Sequence, residues 1–343
     1  MRLSQHLLFP LLLATAAAQP LAPTTAKPLQ RADISTSVGI IKGAIQLPPG
    51  GSDDSYVVSG TQAFDGWFMS VDTLTFKSDA KLVFSGQALN ARNSYFIVAR
   101  RIVVEDPTHP GVITWAKGDT ASSPGASGQA GSGNPGNDRA GDVGGRGADG
   151  SKGADGERGT ASPNFTLFVL SAPTGGVTID FGGSKGSVGG QGMRGGDGGR
   201  GGSGHPASSG AFDCRRGAGN GGPGGPGGIG GPGGAGGNGG TGGTVTIVTT
   251  QGLAPTMLQR FRLDVSGGPG GAGGPGGAGG SGGQGGSGGQ EARPYCRGNG
   301  GTGPTGPAGS AGPTGTAGGP GTPGDVFVGS LTEAEFNQYI FQK

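Results

Sequence analysis

From residue 72 onward, apolar and polar positions alternate in short runs rather than at helical spacing, as half-buried strands require. The runs are DTLTF (72–76), KLVFSG (81–86) and SYFIVARRIVVED (94–106), followed by GVITWAKG (111–118), NFTLFVLSA (164–172) and GVTIDFGG (176–183). TVTIVTT (244–250), RFRLDVSGG (260–268) and DVFVGSL (325–331) complete the set. Six of these runs flank long glycine-rich blocks in pairs, one run entering a block and one leaving it. KLVFSG and SYFIVAR repeat the unit with the insertion reduced to QALNARN. Units of strand, excursion and strand that cannot bury an apolar face alone must stack on one another. The expected base is a parallel β-solenoid (β-helix), with a β-sandwich as alternative and SAPTGG (171–176) and TTQGLAPTMLQ (249–259) as corners.

The last run leads into SLTEAEFNQYIFQK (330–343), where Ser330 and Glu333 have capping-box spacing. Ala334, Tyr339, Ile340 and Phe341 would give a short helix its apolar side. Such a helix is expected to cover the open end of the base.

The blocks between the strands dominate the composition: 86 of 343 residues are Gly and 25 are Pro. Three accounts compete. GADGSKGADGERG (147–159) and GPTGPAGSAGPTGTAGGPGTPG (303–324) keep Gly at every third place, as collagen does. GGPGGPGGIGGPGGAGGNGGTGG (221–243) instead keeps it at two places in three, more than a triple-helix axis needs. Flexible glycine-rich linkers would not hold a strict period. In a threefold extended helix every N–H and C=O points outward and needs a neighbour. With glycine on two faces of three, backbones can approach and bond laterally, and Pro suits the third face because it loses only an outward donor. The period therefore points to three inserted polyglycine-II hairpins forming a bundle.

The two cysteines agree with this. Cys214 and Cys296 lie near the midpoints of the second and third blocks, which would be the tips of two hairpins. In an exported chain an even pair reads as a disulfide. Closing a loop of about 80 residues is worth roughly 4 kcal/mol in the chain-entropy model. A leg of roughly 28 residues would project on the order of 80–90 Å.

Across residues 119–163, 182–243 and 267–324 the chain resembles the glycine-rich springtail antifreeze proteins and the tip adhesins of some phage tails. Both families build single-chain polyglycine-II bundles. The triplet tracts also resemble bacterial collagen-like surface proteins. The adhesin resemblance implies binding by loops at the bundle's end, and the antifreeze resemblance implies an ice-binding face.

The remaining residues divide the chain. Arg2, the run LLFPLLLATAAA and the small residues Ala16–Ala18 read as a secretory signal over 1–18, followed by a flexible linker over 19–33. Solenoid strands occupy 34–118, 164–181 and 244–266, the hairpins 119–163, 182–243 and 267–324, and the last strand and capping helix 325–343. No second apolar stretch is long enough to span a membrane. The net charge of +2 gives no electrostatic case for nucleic acid. His109 and His205 are too few and too scattered for a metal centre, and no cofactor is called for. GQGMRG (190–195) and GGRGAD (144–149) match phosphate-loop and calcium-repeat patterns that a quarter-glycine chain meets by chance. Asp180, Asp264 and Lys117 near strand ends are the sparse basis for a β-helix polysaccharide-binding or -cleaving reading.

Side chains return at the block middles: GNPGNDRAGD (133–142), HPASSGAFDCRRGAGN (205–220) and QEARPYCRGN (290–299). Aligned hairpins would bring Phe212, Arg215 and Arg216 to Arg293, Tyr295 and Arg297 around the disulfide. Aromatic residues with Arg on a rigid support suit recognition, sugar stacking or anionic groups. The sequence thus points to an exported, non-enzymatic, structural or adhesive protein of the cell surface or extracellular matrix. Its partners would be surface glycans or matrix components, with self-association possible in principle. Ice binding, through small outward residues such as those of GGPGGAGGPGGAGGSGG (267–283), is the alternative.

Overall fold

A computed structural model describes residues 26–30, 33–34, 37, 39, 55–85, 93–117 and 141–339. The signal segment, most of the linker and the outgoing half of the first glycine block lie outside them. The chain is mainly β. Its strands are β1 (Lys27–Pro28), β2 (Ser55–Val58), β3 (Thr61–Phe64), β4 (Phe68–Phe76), β5 (Lys81–Phe84), β6 (Ser94–Val104) and β7 (Gly111–Trp115). There follow β8 (Asn164–Val169), β9 (Val177–Asp180), β10 (Ser208–Ser209), β11 (Cys214–Arg216), β12 (Val245–Thr250), β13 (Phe261–Asp264) and β14 (Val326–Leu331). Two short helices are α1 (Ala254–Arg260) and α2 (Glu333–Tyr339).

Apart from the β10–β11 ribbon, the strands form two wholly parallel sheets between which the chain alternates. One has the order β1-β14-β12-β8-β6-β4-β2 and the other β13-β9-β7-β5-β3. Every apolar run named above contributes a strand. The pairs β2 and β3, short and half-exposed, carry too little alternation to stand out in the sequence.

Alternation decides which side chains meet. Tyr95, Ile97 and Ala99 of β6, Phe165 and Leu167 of β8, and Val245 and Ile247 of β12 enter one core with Leu82 and Phe84 of β5 and Ile179 of β9. Aromatic rings fill its centre: Phe84 lies 4.7 Å from Tyr95, and Phe165 stacks on Phe181 at 4.7 Å. Fully burying each such ring contributes roughly 1.5–3 kcal/mol. The opposite face of the seven-stranded sheet presents Phe96, Val98, Phe168 and Val248, with Phe336 of α2 and Ile34 packed on it.

Three local expectations are corrected here. The cap of α2 is Thr332, whose backbone N–H and hydroxyl both donate to Glu335 while its Oγ1 accepts from the Glu335 N–H. Ser330, expected in that role, still belongs to β14, because the ladder with β12 runs on to Leu331. The helix buries Phe336 and leaves Ala334 exposed, so it covers a sheet face rather than an end; Ile340 and Phe341 lie outside the described residues. Residues 27–28, read as linker, form β1 against β14, tied by Lys27–Asp325 at 2.6 Å. The corner at 249–259 contains α1, entered through Pro255 and anchored by buried Met257.

Beyond the strands, five glycine-rich legs run side by side among the described residues. In chain order they cover 141–163, 182–204, 219–243, 266–290 and 300–324. The first, third and fifth lead into β8, β12 and β14, and the second and fourth leave β9 and β13. Each row of legs therefore continues one sheet. Within a row the legs are parallel: Gly147 N–H donates to Pro226 O, Gly227 to Pro307, and Gly186 to Pro269. Between rows they are antiparallel: Met193 donates to Ser151 O, Gly231 to Met193, Gly277 to Gly231, and Gly312 to Gly277. The pattern recurs every third residue at 2.7–3.1 Å.

Neighbour number accounts for the two extremes of glycine usage. The third leg bonds to all four others and keeps two glycines per triplet. A Cβ at Gly230 would land on the Gly277 carbonyl oxygen, and one at Gly231 on that of Ser151. The first and fifth legs each bond to two others among the described residues, and one glycine per triplet suffices. There a Cβ at Gly147 would strike Gly196 O, and at Gly306 it would strike Gly225 O. The collagen-like tracts are thus the outer legs, whose other two positions face outward. The second leg, with three neighbours, admits Ser184, Ser187 and Met193 beside its invariant third-place glycines.

Position should therefore decide the cost of a methyl group. Gly231→Ala is expected to destabilise by about 2 kcal/mol or more through overpacking against backbone. Gly319→Ala meets nothing nearer than Asn238 Oδ1 at 3.7 Å and should change stability by less than about 1 kcal/mol, through the unfolded chain. Denaturant unfolding of the two variants measures the difference.

Candidate recognition site at the bundle tip

Two turns close the legs at the end remote from the sheets. The first, 205–218, joins the second and third legs through the β10–β11 ribbon, with Ser208 opposite Arg216 and Ser209 opposite Cys214. Gly210 N–H donates to Asp213 O at 2.7 Å and closes a four-residue turn that holds Phe212 out in solvent, 88 % exposed. The second, 291–299, joins the fourth and fifth legs. Ala292 and Cys296 exchange both backbone bonds at 2.9 Å, so Arg293, Pro294 and Tyr295 form the turn between them.

Glu291 organises the second loop. Its carboxylate accepts Gly298 N–H at 3.0 Å and Arg293 Nε at 2.6 Å, while its own N–H donates to Asn299 Oδ1. The Gly298 N–H, then Arg293, hold that carboxyl below its usual range. Gly298 has φ +98°, which favours a residue without Cβ.

The loops are locked to each other. Cys214 and Cys296, 82 residues apart in sequence, form a disulfide with Cα atoms 4.8 Å apart. Ser209 Oγ donates to Ala292 O at 2.6 Å, and Ala207 N–H to Gln290 O at 2.8 Å. The tip placement of both cysteines follows the block midpoints. Phe212, Arg215 and Arg216 stand on one loop and Arg293, Tyr295 and Arg297 on the other, all exposed. Beyond the loops' shared anchors, no hydrogen bond, ion pair or ring contact joins any of these six to another. The side chains form a shared exposed surface, not a closed pocket. The first block's middle lies outside the described residues from 133 to 140.

The other candidates take structural places. Lys117 Nζ meets Asp180 Oδ1 at 2.8 Å, and Asp264 is Asp180's register partner. Each carboxylate also accepts the N–H two residues on, Gly182 for Asp180 and Ser266 for Asp264, where strand passes into leg. GQGMRG runs as extended leg with no helix after it, and in GGRGAD Asp149 binds Arg146 and the Ile229 N–H. His109 Nδ1 donates to the Asp106 carboxylate, which is lowered to about 2 chiefly by Thr108 and His109. Among the described residues no group of three or more His, Cys, Asp or Glu is placed to hold a metal ion.

Sequence reasoning missed a set of cross-leg ties. Where an outward residue keeps its N–H, an Asp or Asn of the neighbouring parallel leg accepts it: Asp149 for Ile229, Asp155 for Ala235, Asp197 for Ser281, Asn220 for Gly301 and Asn238 for Gly319, at 2.7–2.8 Å. Elsewhere Pro removes the donor, as at 223, 226 and 232. Three residues make one turn of such a leg, so a base three places before the Asp lies beside it: Arg146–Asp149, Lys152–Asp155 and Arg194–Asp197. That K/R-x-x-D spacing was the available signal.

No protein-family model, curated protein or solved structure matches the chain.

Lys152 and the Ala235 N–H lower the Asp155 carboxyl, and Arg194 and the Ser281 N–H lower that of Asp197. A carboxyl depressed in the folded state stabilises it above the unfolded pKa and loses that contribution as pH falls through the folded value. Thermal stability should hold from neutral pH to about 4 and decline below it. A chain with Asp155→Ala and Asp197→Ala should start lower and decline less. Separately, Cys214→Ser with Cys296→Ser should lower the unfolding free energy by about 4 kcal/mol, read by denaturant titration.

Proposed function

We propose that the chain is an exported, non-enzymatic structural or adhesive protein of the cell surface or extracellular matrix, which presents its two bridged loops to a partner. On this reading the two alternating sheets form a β-solenoid base, and the legs form a polyglycine-II bundle. At about 3.1 Å per residue, a leg such as 219–243 spans about 75 Å and carries the tip well away from the base. The observation that carries the proposal is the lock between loops 205–218 and 291–299: one disulfide and two hydrogen bonds fix exposed aromatic and arginine side chains on a glycine lattice. Rigid presentation lowers the ordering cost of binding. The disulfide is compatible with an oxidising compartment, and among the described residues no helix is long and apolar enough to cross a membrane.

A second reading has its own support. The fifth leg has no charged residue between 300 and 324, and its outward positions hold Thr, Ala, Ser, Pro and Gly. Such a surface suits ice binding. Thermal hysteresis separates the two, because a tip adhesin produces none.

The adhesive reading is tested by coating beads with the full chain and measuring attachment to immobilised glycans and matrix preparations. Phe212→Ala with Tyr295→Ala is expected to abolish attachment while leaving the circular dichroism spectrum unchanged. Undiminished attachment overturns the tip assignment.

A further inference from the structure

The charges of the bundle are distributed unevenly. On the legs, Arg146, Lys152 and Arg194 are each paired with the Asp three residues on, while Arg158, Lys185 and Arg200 stand singly along the first and second legs. The fourth and fifth legs carry no charge at all. At the tip, four arginines (215, 216, 293 and 297) stand with two carboxylates, Asp213 and Glu291, a difference of +2. Among the described residues one of the four is ion-paired, Arg293 with Glu291. Glu291 is itself committed to the Gly298 N–H. Arg297 has only the distant Pro294 carbonyl, at 3.4 Å, and Arg215 and Arg216 have no ion pair.

The placement of these cations argues about the shape of the ligand. Arg215 and Arg216 are consecutive in β11, so their side chains leave opposite faces of the ribbon. Arg297 stands on the other loop. Exposed cations spread over two loops and both faces of the ribbon can each meet a different charge of a repeating polymer. Phe212, the most exposed large apolar side chain among the described residues, stands two residues before the disulfide, and Tyr295 is 44 % exposed one residue before its other half. An aromatic face beside guanidinium groups fits a sugar ring bearing a carboxylate or sulfate ester.

We infer that the tip binds an acidic polysaccharide, with Arg215, Arg216 and Arg297 meeting successive carboxylate or sulfate groups and Phe212 stacking on a sugar face. This rests on the adhesive reading and narrows its ligand class.

The test uses the full chain against polygalacturonate, dextran sulfate, uncharged dextran and single-stranded DNA. Binding to the two acidic polysaccharides and not to dextran is expected. It should weaken steeply as salt rises, because exposed charges are screened over about 8 Å at physiological ionic strength. Arg215→Gln, Arg216→Gln and Arg297→Gln together should weaken it about tenfold. An unchanged circular dichroism spectrum and an intact disulfide confirm that the variant folds. Equal binding to dextran, insensitive to the arginine changes but lost with Phe212→Ala, overturns the acidic class and leaves the adhesive tip standing. DNA bound as tightly as the polysaccharides overturns the glycan assignment. Binding untouched by any tip substitution overturns both readings, and no binding to any polymer overturns the inference.

Discussion

The hydrogen bond from a glycine N–H in one row of legs to a backbone carbonyl in the other is the contact on which the glycine half of the molecule depends. Packed β-sheets stand about 10 Å apart because side chains fill the space between them. Here the same two layers leave their sheets, shed their side chains and close to hydrogen-bonding distance. Phe165, Phe181 and Trp115 mark the boundary: the two phenyl rings stack in the core, and Trp115 Nε1 donates to Gly182 O at the root of the second leg. One residue further, glycine grammar takes over. A single Cβ on an inner face would occupy a carbonyl oxygen's place, so the period of three is a steric requirement and not a compositional habit.

The energetics of that lattice explain why its ends are so firmly held. Two glycines per triplet raise the ordering cost by roughly 1–2 kcal/mol over alanine. The third leg makes four backbone bonds per triplet, each shared with a neighbour and worth about 1 kcal/mol net, or about 2 kcal/mol to the leg. Terms of similar size leave little margin. Parallel ladders with offsets near 80 pass from β8–β12 and β12–β14 directly into the legs, which fixes their register from the base. The disulfide fixes it from the tip. Pro at outward positions and Asp or Asn on the parallel leg of the same row remove donors that would otherwise depend on water alone.

Much of this was legible in the sequence. Alternation located the strands from 72 onward, and the positions of Cys214 and Cys296 located both turns. The period of three identified legs, but it did not reveal why some hold one glycine per triplet and others two, because that depends on how many legs surround each. The sequence assigned no partner to Asp149, Asp155 or Asp197, because each one's parallel neighbour lies 80 residues or more away. The cap of α2 was misplaced by two residues because Ser330 and Thr332 offer the same spacing to Glu333 and Glu335, and only the β12–β14 ladder decides between them. The loops at the tip were found, but the loop-closing work of Glu291 and Asn299 follows from tertiary geometry.

A stiff support and an exposed, positively charged end belong to one design: the first gives the second its fixed arrangement. Residue-resolved amide hydrogen exchange of the full chain tests the lattice most directly. Both glycines of each triplet in 219–243 should exchange slowly, and in 300–324 the every-third glycines should, together with Gly301 and Gly319, with Thr305, Ala308 and Ala311 fast. Uniform exchange at unfolded-chain rates through both legs would contradict the account.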